Sequence, residues 1–398
     1  MDRPRNLLGN LLGIRAALLA LVVALALTCL GCRSQATGVA AADVPSVTAP
    51  ATPAVPPPPR TLKLFAVGDI MLDRKVGERI KADGSRGLLA AVAPDLARAD
   101  LVFANLESPL STEGPHDPAN CCFRADPATV KVLALGHIGI VSLANNHTLN
   151  PGRVGIVQTM DTLDKAGIRY CGAAREQAQA SWPRVMNVKG FRVGFQAFTD
   201  LDFAHGSYSK VPRDLEWHKQ QITQAKNKCD LLVVSYHWGV EENEAPTARQ
   251  KQIAHLAIAA GADVVLGHHP HVLEGVEFYQ GHPILYSLGN FVFDQRPGLK
   301  TQSGVFHLLY TEGQGWTVKM LPVTLPRPRL GPEFPAAGTR DAILKRFAGY
   351  CQQLGTPHQV EQGMLVMTPS LAASTPSAAA ATAPPASPGS AGLPKSRR

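Results

Sequence analysis

The sequence lacks the cysteine spacings and the basic, aromatic-rich stripes that mark two large classes of binding protein. Outside the N-terminal region, none of the five remaining cysteines is spaced as Cys-x-x-Cys, so a thiolate zinc site is not indicated. No stretch interleaves basic and aromatic residues as nucleic-acid-binding surfaces do, and we expect no nucleic-acid partner. No internal repeat is evident either. What remains, about 300 residues, is enough for one large core.

The apolar run near the N-terminus is short for a membrane span. Three arginines precede and adjoin residues 16–30, a run of about fifteen uncharged residues, which is the length of a signal-peptide core. The end of that run, up to Cys32, resembles a bacterial lipoprotein signal, although Cys29 stands where leucine is usual. We expect residues 1–32 to direct export to the cell envelope. Lipidation at Cys32, ordinary secretion and an uncleaved membrane anchor are the alternatives.

Two flanking segments differ in composition from the core at residues 61–367. Residues 33–60 are rich in Ala, Thr, Val and Pro and predict an extended tether, whereas residues 368–398 are rich in Ala, Pro and Ser and predict a disordered tail. Residues 1–60 hold five basic and two acidic residues and the tail holds three basic and none acidic, so only +2 of the +8 net charge belongs to the core. The charge therefore indicates tails that contact an anionic surface.

Polar residues follow six apolar, strand-like runs. Such runs are typical of strands buried on both faces, and in α/β proteins the chemistry gathers at their carboxyl ends. Each polar residue has a structural explanation when taken singly, as a helix cap, a solvated loop carboxylate or a turn residue. Their repetition instead predicts one functional rim. The residues are Asp69, Glu107, Asn146 with His147, His237, His269 with His271, and Asn290.

The densest group of candidate ligands is Gly267-His268-His269-Pro270-His271. Neutral imidazole is a common ligand of divalent transition metals, and on an extended backbone His269 and His271 share one side while His268 points the other way. Mixed oxygen and nitrogen donors favour Mn, Fe, Co or Zn over Mg or Ca. The sequence therefore predicts one or two divalent transition-metal ions, with His268 supporting a ligand.

Six segments, taken in order, resemble the CapA-type capsule-synthesis proteins. They are Gly68–Leu72, Asn105–Ser108, Ala144–His147, His237–Glu241, Gly267–Val272 and Tyr286–Asp294. That family is linked to poly-γ-glutamate synthesis and belongs to the calcineurin-like metallophosphoesterase superfamily. The resemblance implies an α/β fold in which two mixed β-sheets pack face to face, flanked by helices, as a four-layer sandwich.

The resemblance also implies which residues bind each metal. Asp69 and His271 would bind the first metal, and Glu107 would occupy the bridging position. The second metal would be bound by Asn146, His237 and His269. His147 would act as a general acid or stabilise charge on the leaving group. Met71 stands where the superfamily has a histidine, so the first metal is expected to be weakly held or absent.

Four further residues are candidates for catalysis or substrate contact. Glu241 is placed to orient a ligand histidine or to contact substrate, with a solvated loop as the alternative. Trp238 is a candidate pocket wall, with a packed core tryptophan as the alternative. Asn290 is expected to hydrogen-bond across the site, and Arg124 to bind a carboxylate or phosphate through its guanidinium.

Two classes of function fit these residues. The first is a metal-dependent hydrolase or transferase that acts on an extracytoplasmic polymer, and the second is a non-catalytic component that holds the polymer during export. The missing first-motif histidine favours the second, and the complete set from Asn146 to His271 favours the first. An anionic polymer such as polyglutamate, other capsule-synthesis membrane proteins and the membrane itself are the expected partners.

The remaining expectations concern local structure. We predict helices over residues 154–166, 214–228, 247–260 and 339–354, and a hairpin over residues 187–193. Adjacent cysteines rarely bond each other, so Cys121 or Cys122 is a candidate to pair with Cys171.

Overall fold

The structure, a computed structural model, describes residues 58–201, 210–212 and 214–369. Its strands are β1 (Thr61–Ile70), β2 (Leu101–Leu106), β3 (Ile140–Ser142), β4 (Arg169–Cys171), β5 (Arg184–Val188), β6 (Phe191–Thr199), β7 (Leu231–His237), β8 (Val264–His268), β9 (Leu273–Tyr279), β10 (His282–Leu288), β11 (Asn290–Val292), β12 (Gln302–Thr311), β13 (Gly315–Thr324), β14 (His358–Glu361) and β15 (Met364–Met367). Its α-helices are α1 (Arg74–Asp83), α2 (Ala93–Leu96), α3 (Val130–Leu135), α4 (Gly152–Lys165), α5 (Leu215–Lys226), α6 (Ala248–Ala259) and α7 (Ala337–Gln353).

The predicted signal segment with Cys32, most of the tether and nearly all of the tail lie outside the described residues. The domain boundaries therefore stay a prediction. Within the described part of the chain, none of the helices combines the length and the apolar character that a membrane crossing requires.

Two mixed sheets organise the fold. The first has the order β14-β15-β13-β12-β1-β2-β3-β4, with β11 also paired to β1, and the second has the order β5-β6-β7-β8-β10-β9. Strands β1 to β4 run parallel to one another, as do β6, β7, β8 and β10. The outer strands of both sheets add antiparallel pairs, such as β12 with β13 and β9 with β10.

Buried apolar residues separate the molecule into four layers. Leu64 and Phe103 from the first sheet pack with Phe195 from the second, which forms the core between the sheets. On the outer face of the first sheet lie α1, α3 and α4, the last contributing Ile156. On the outer face of the second sheet lie α5 and α6, the latter contributing Ile253. The expected α/β architecture of two face-to-face mixed sheets flanked by helices is confirmed.

The predicted helices and hairpin are confirmed, with the helix ends displaced by a few residues. The α6 helix begins after Thr247, whose hydroxyl accepts a hydrogen bond from the backbone N–H of Gln250 while the Gln250 side chain accepts from Thr247 in return. The α5 helix begins after Asp214, whose carboxylate accepts from the N–H of Glu216. These capping residues satisfy N–H groups that have no partner inside the helix, and they therefore set where each helix starts.

Two glycines allow close approach of backbone at the functional rim. A Cβ on Gly68 would lie 1.9 Å from the carbonyl oxygen of Gly289, and a Cβ on Gly267 would lie 1.8 Å from that of Tyr286. Neither distance is sterically possible, so only glycine permits these contacts. The residues that follow them, Asp69 and His268, are thereby held at the junction of the two sheets.

The proposed disulfide is not formed. Cys121, Cys122, Cys171, Cys229 and Cys351 are all free thiols in the structure. Cys171 is buried at the end of β4, whereas Cys121 is exposed on a surface loop. The prediction was wrong because the positions of the cysteines in the sequence do not show how deeply each one is buried in the fold.

Candidate metal centre

The carboxyl ends of strands from both sheets bring the candidate ligands together. In the strand register Asp69 is paired with Asn105 on one side and with Asn290 on the other, and His237 is paired with His268. Chain segments 200 or more residues apart in sequence therefore meet at one buried site, since Asp69 contacts both His269 and Asn290. The ligand candidates Asp69, Glu107, His237, His269 and His271 all have side chains that are buried.

A first group of donor atoms consists of Asp69, Glu107 and His271, whose ligand atoms lie within 4.8 Å of one another. His271 Nδ1 is 3.4 Å from Asp69 Oδ2, and its Nε2 is 3.6 Å from Glu107 Oε1. These are the three residues predicted for the first metal and the bridging position, and the structure brings them together. Met71 supplies no imidazole to this group, and its sulfur instead accepts the backbone N–H of Asp73 at 3.1 Å.

Electrostatic effects in this group oppose one another. Burial favours the neutral form of Asp69, yet hydrogen bonds and attraction from His268 and His271 hold its pKa well below the usual range. Burial raises the pKa of Glu107 to about 8, with Asp69 adding repulsion. Burial also opposes the charge on His271, but attraction to Glu107 and Asp69 raises its pKa to about 9. The first group is therefore partly protonated at neutral pH.

The residues predicted for the second metal, Asn146, His237 and His269, make up a second group that lies beside the first. His237 Nε2 is 2.9 Å from Asn146 Oδ1, and the His237 ring centre is 4.8 Å from that of His269. Glu241, on the exposed side, completes a group with His269 and His271 in which ligand atoms again lie within 4.8 Å. Glu241 was predicted to support a ligand or contact substrate, and its position also suits direct metal binding.

Burial keeps the imidazoles of the second group neutral. It lowers the pKa of His237 well below the usual value and that of His269 to about 3, with repulsion from neighbouring histidines adding to the shift. Neutral imidazole is the form that binds metal ions. The second group is thus prepared to bind a cation without first losing a proton.

The turn carrying the last histidines departs from the extended backbone that the sequence suggested. His269 has a φ of 98° and His271 a φ of 60°, both in the left-handed region that non-glycine residues seldom adopt. His268, expected to point away, instead lies with Nδ1 3.2 Å from Asp69 Oδ1. This contact fits the expected supporting role of His268. Its direction was inferred from the alternation of side chains along an extended strand, but β8 ends at His268 itself.

Three asparagines that sequence reasoning assigned no role hold the ligands in place. Asn105 donates to Asp69 Oδ1 at 2.9 Å and lies 3.4 Å from both Glu107 Oε2 and His237 Nδ1. Asn145 donates to Asn105 Oδ1 at 3.1 Å. Asn150 Oδ1 accepts the N–H of Phe123 at 2.8 Å and lies 3.0 Å from His147 Nδ1. Asn105 and Asn145 could have been identified from the sequence, because they lie inside the ligand-bearing segments shortly before Glu107 and Asn146.

His147 sits at the edge of both groups. Its Nε2 is 3.8 Å from Glu107 Oε1 and 3.1 Å from the Asn146 amide nitrogen, and its ring lies 4.2 Å from that of Phe123. Because Asn150 Oδ1 also accepts a backbone N–H, it acts as an acceptor towards Nδ1, which leaves Nε2 without a proton. Burial lowers the pKa of His147 to about 4, so the ring is neutral at pH 7. This tautomer suits proton acceptance better than the predicted general-acid role.

The other predicted contact residues occupy different settings. Asn290 Oδ1 accepts from His271 Nδ1 at 2.9 Å and its amide donates to the carbonyl of Lys300, so it orients a ligand. Trp238 is fully buried, stacks on Tyr236 and donates to the Tyr286 carbonyl, which argues against the predicted pocket wall. The alternative of a packed core tryptophan describes it better.

Arg124 lies outside the ligand groups, in a neighbouring cavity. Its backbone N–H donates to Asp73 and its guanidinium to the Gly114 carbonyl. The predicted contact with an anionic substrate group stays a prediction.

The donor set fits a divalent transition metal. Glu107 Oε1 is buried and accepts no hydrogen bond from the described residues, although His271 Nε2 and His147 Nε2 face it at 3.6 and 3.8 Å. A buried carboxylate oxygen without a partner is costly, and these separations are too long for hydrogen bonds. A cation shared between carboxylate and imidazole would satisfy the oxygen.

Comparison with known proteins places this site within a matched region. A family model described as "Bacterial capsule synthesis protein PGA_cap" matches residues 63–295. The capsule biosynthesis protein CapA of Bacillus anthracis is 35% identical over 247 residues, covering 59% of this chain and 60% of that protein. The PGA biosynthesis protein CapA of Bacillus subtilis is 35% identical over 237 residues, covering 58% and 62%. This chain thus spans about 60% of the length of these relatives.

Among solved structures, a 5'-nucleotidase from Candida albicans is similar with a TM-score of 0.39 and 11% identity, covering 74% of this chain and 58% of that one. This likeness is too low to support a functional inference.

Proposed function

The chain belongs to the family of bacterial capsule synthesis proteins, and from that premise we propose that it acts in the cell envelope as a metal-dependent hydrolase or transferase on a carboxylate-rich capsule polymer. The names of its relatives refer to capsule and PGA biosynthesis, which supports the choice of polymer. The observation that carries the proposal is the pair of neighbouring donor groups that share the buried His271, one with Asp69 and Glu107 and the other with Glu241 and His269.

We assign separate roles to these residues. Asp69, Glu107 and His271 would hold one ion, and Asn146, His237 and His269 a second. Held by these residues, an ion would supply a water of lowered pKa and would polarise the attacked group. The unprotonated Nε2 of His147, 3.8 Å from Glu107, is placed to accept a proton from that region.

The fixed positions of these groups come from their supports. Asn105 orients Asp69 and lies next to His237, and Asn290 orients His271. Ligands held in this way need little reorganisation when a cation binds, which favours both affinity and a defined geometry.

A second function, a non-catalytic polymer-holding role, is favoured by one observation. Met71 is fully buried and its sulfur accepts a backbone N–H, so this position offers no metal ligand where the superfamily has a histidine. A site with only one tightly bound ion, or none, would suit a component that holds the polymer rather than cleaves it.

Metal content distinguishes the two functions. The protein is purified without chelator and measured by inductively coupled plasma mass spectrometry beside the His269→Ala/His271→Ala double variant, with His282→Ala as a control histidine away from the ligand groups. About two equivalents, lost only in the double variant, would support hydrolytic chemistry and justify a screen of phosphoesters and γ-glutamyl amides. One equivalent would favour a single-ion mechanism, and none in folded protein would favour the polymer-holding role.

Export and anchoring are proposed from residues 1–32 alone. Metabolic lipid labelling of the protein and of its Cys32→Ser variant tests this part. Labelling that persists in the variant would exclude Cys32 as the lipidation site.

A further inference from the structure

A cavity of about 410 Å³ lies beside the metal centre. Its lining includes Leu72 and Asp73 at the start of α1, Lys81 further along that helix, and His116 and Arg124 on the facing segment. The Leu72 N–H donates to Ser108 Oγ at 2.8 Å. Since Leu72 follows Asp69 by three residues and Ser108 directly follows Glu107, the cavity wall continues from the ligand-bearing segments.

The facing segment is tied to the same site. Phe123 donates its N–H to Asn150 Oδ1, the atom that also contacts His147. Arg124 donates its N–H to Asp73 Oδ2 at 2.9 Å. These bonds hold the cavity and the metal centre in one fixed relation.

Aromatic contacts connect Arg74, which lines the cavity, to the metal centre. The guanidinium carbon of Arg74 lies 4.8 Å from the ring centre of Phe123 and 5.6 Å from that of Phe293. Phe123 contacts His147, and Phe293 lies 5.0 Å from the ring of His271. Arg74 lines the cavity and pairs with Asp294, so its charge is already compensated.

Two other basic side chains, Lys81 and Arg124, line the cavity. Among the described residues, Lys81 and Arg124 form no ion pair, although Arg124 donates to one backbone carbonyl. The carboxylate of Asp73 is engaged by His116 Nε2 at 2.9 Å and by the Arg124 N–H, and that of Asp126 caps the N–H of Ala128. Glu78, on α1, is the third carboxylate of the lining, so three basic and three acidic side chains line the cavity, and Lys81 and Arg124 are the two basic ones outside any ion pair among the described residues.

We propose that this cavity is a carboxylate-binding subsite, in which Arg124 and Lys81 bind an acidic group of the polymer unit next to the one at the metal centre. Guanidinium binds carboxylate through two parallel hydrogen bonds, and ammonium adds a flexible charge. The identity of the polymer rests on the proposed function, whereas the subsite itself rests on the cavity and on Arg124 and Lys81, which form no ion pair among the described residues.

The test is calorimetric titration of the full-length protein with a short γ-linked glutamate oligomer, beside the same oligomer with its carboxylates converted to carboxamides. The Arg124→Ala/Lys81→Ala variant should bind the acidic oligomer at least about tenfold more weakly. A control variant, Lys165→Ala/Arg169→Ala, removes the same charge from exposed positions that do not line the cavity and should bind as the unchanged protein does. Equal binding by the cavity variant, or equal binding of the carboxamide oligomer, would overturn the subsite.

The metal-ligand variant separates this proposal from the proposed function. His269→Ala/His271→Ala should retain most oligomer binding, because neither Arg124 nor Lys81 is altered. Retained binding would support the subsite even if the protein proved to contain no metal. Binding lost only in the metal-ligand variant would place the polymer at the metal centre alone and refute the subsite.

Discussion

Metal binding to this protein should release protons, and its affinity should rise with pH. In the structure, burial raises the pKa of Glu107 to about 8, while Glu107 and Asp69 outweigh burial and raise that of His271 to about 9. Both groups belong to the first donor group, and a ligand must lose its proton before it binds a cation. At pH 7 the metal-free protein therefore holds at least one proton in this group that the ion must displace.

The size of the effect follows from the number of protons released. Each proton displaced makes the apparent affinity rise about tenfold per pH unit, or about 1.4 kcal/mol, as long as the pH stays below the pKa of the group concerned. Between about pH 6 and pH 8 one proton gives roughly a 100-fold rise, and two protons give roughly 10⁴-fold. His237 and His269 contribute nothing in this range, because burial keeps them neutral throughout.

Competition with a chromophoric chelator, using Zn²⁺ or Mn²⁺ over this pH range, measures the slope. Calorimetry in two buffers of different ionisation enthalpy counts the protons directly. In Glu107→Gln one of the two negative charges that raise the pKa of His271 is absent and the proton of Glu107 is lost as well, so the slope should flatten, although attraction to Asp69 remains. An affinity that does not change with pH, together with the same heat in both buffers, would refute the reasoning.

Three other variants test the fixed roles of single residues. Trp238→Ala should reduce the free energy of unfolding in urea by about 3–5 kcal/mol because the residue is fully buried. The control Trp217→Ala, at a residue that is 44% exposed, should reduce it by less than about 1 kcal/mol. Similar losses in the two variants would contradict the core role of Trp238. Asn290→Ala should weaken metal binding about 10- to 100-fold in the chelator assay, since the His271 ring loses its 2.9 Å partner, and unchanged affinity would remove Asn290 as a supporting residue. His147→Ala should keep its metal content and lose turnover of the polymer by roughly 10²- to 10⁴-fold, and full turnover would exclude a catalytic role.

Much of the fold could be predicted because its elements have strong local signals. The runs before Asp69 and His237 are uninterrupted by charged residues, as expected of strands covered on both faces, and the structure places both runs in the buried centres of the two sheets. The helix starting after Thr247 carries its capping residues in sequence. Family membership was evident for the same reason, since the six matched segments are short and contiguous.

Local signals failed where the outcome depended on depth. Trp238 directly follows the candidate ligand His237, and this adjacency suggested a pocket wall, yet its ring enters the apolar layer behind the second sheet. Nothing in the sequence around Cys121 and Cys171 indicates that the first is exposed and the second is buried. Burial is a property of the packed layers, and a neighbour in sequence does not share it.

By itself, the sequence determined the residue types that can bind a cation, the strands that precede them and the family to which the chain belongs. Only the tertiary structure decided that His271 is common to two donor groups, that Asn105 and Asn290 hold the ligands, and that a cavity lined by Arg124 and Lys81 opens beside them. These features depend on how two separate sheets meet, with Glu107 following a strand of one and His271 a strand of the other. Their separation in space is set by the packing of the core between the sheets, which no local pattern of residues encodes.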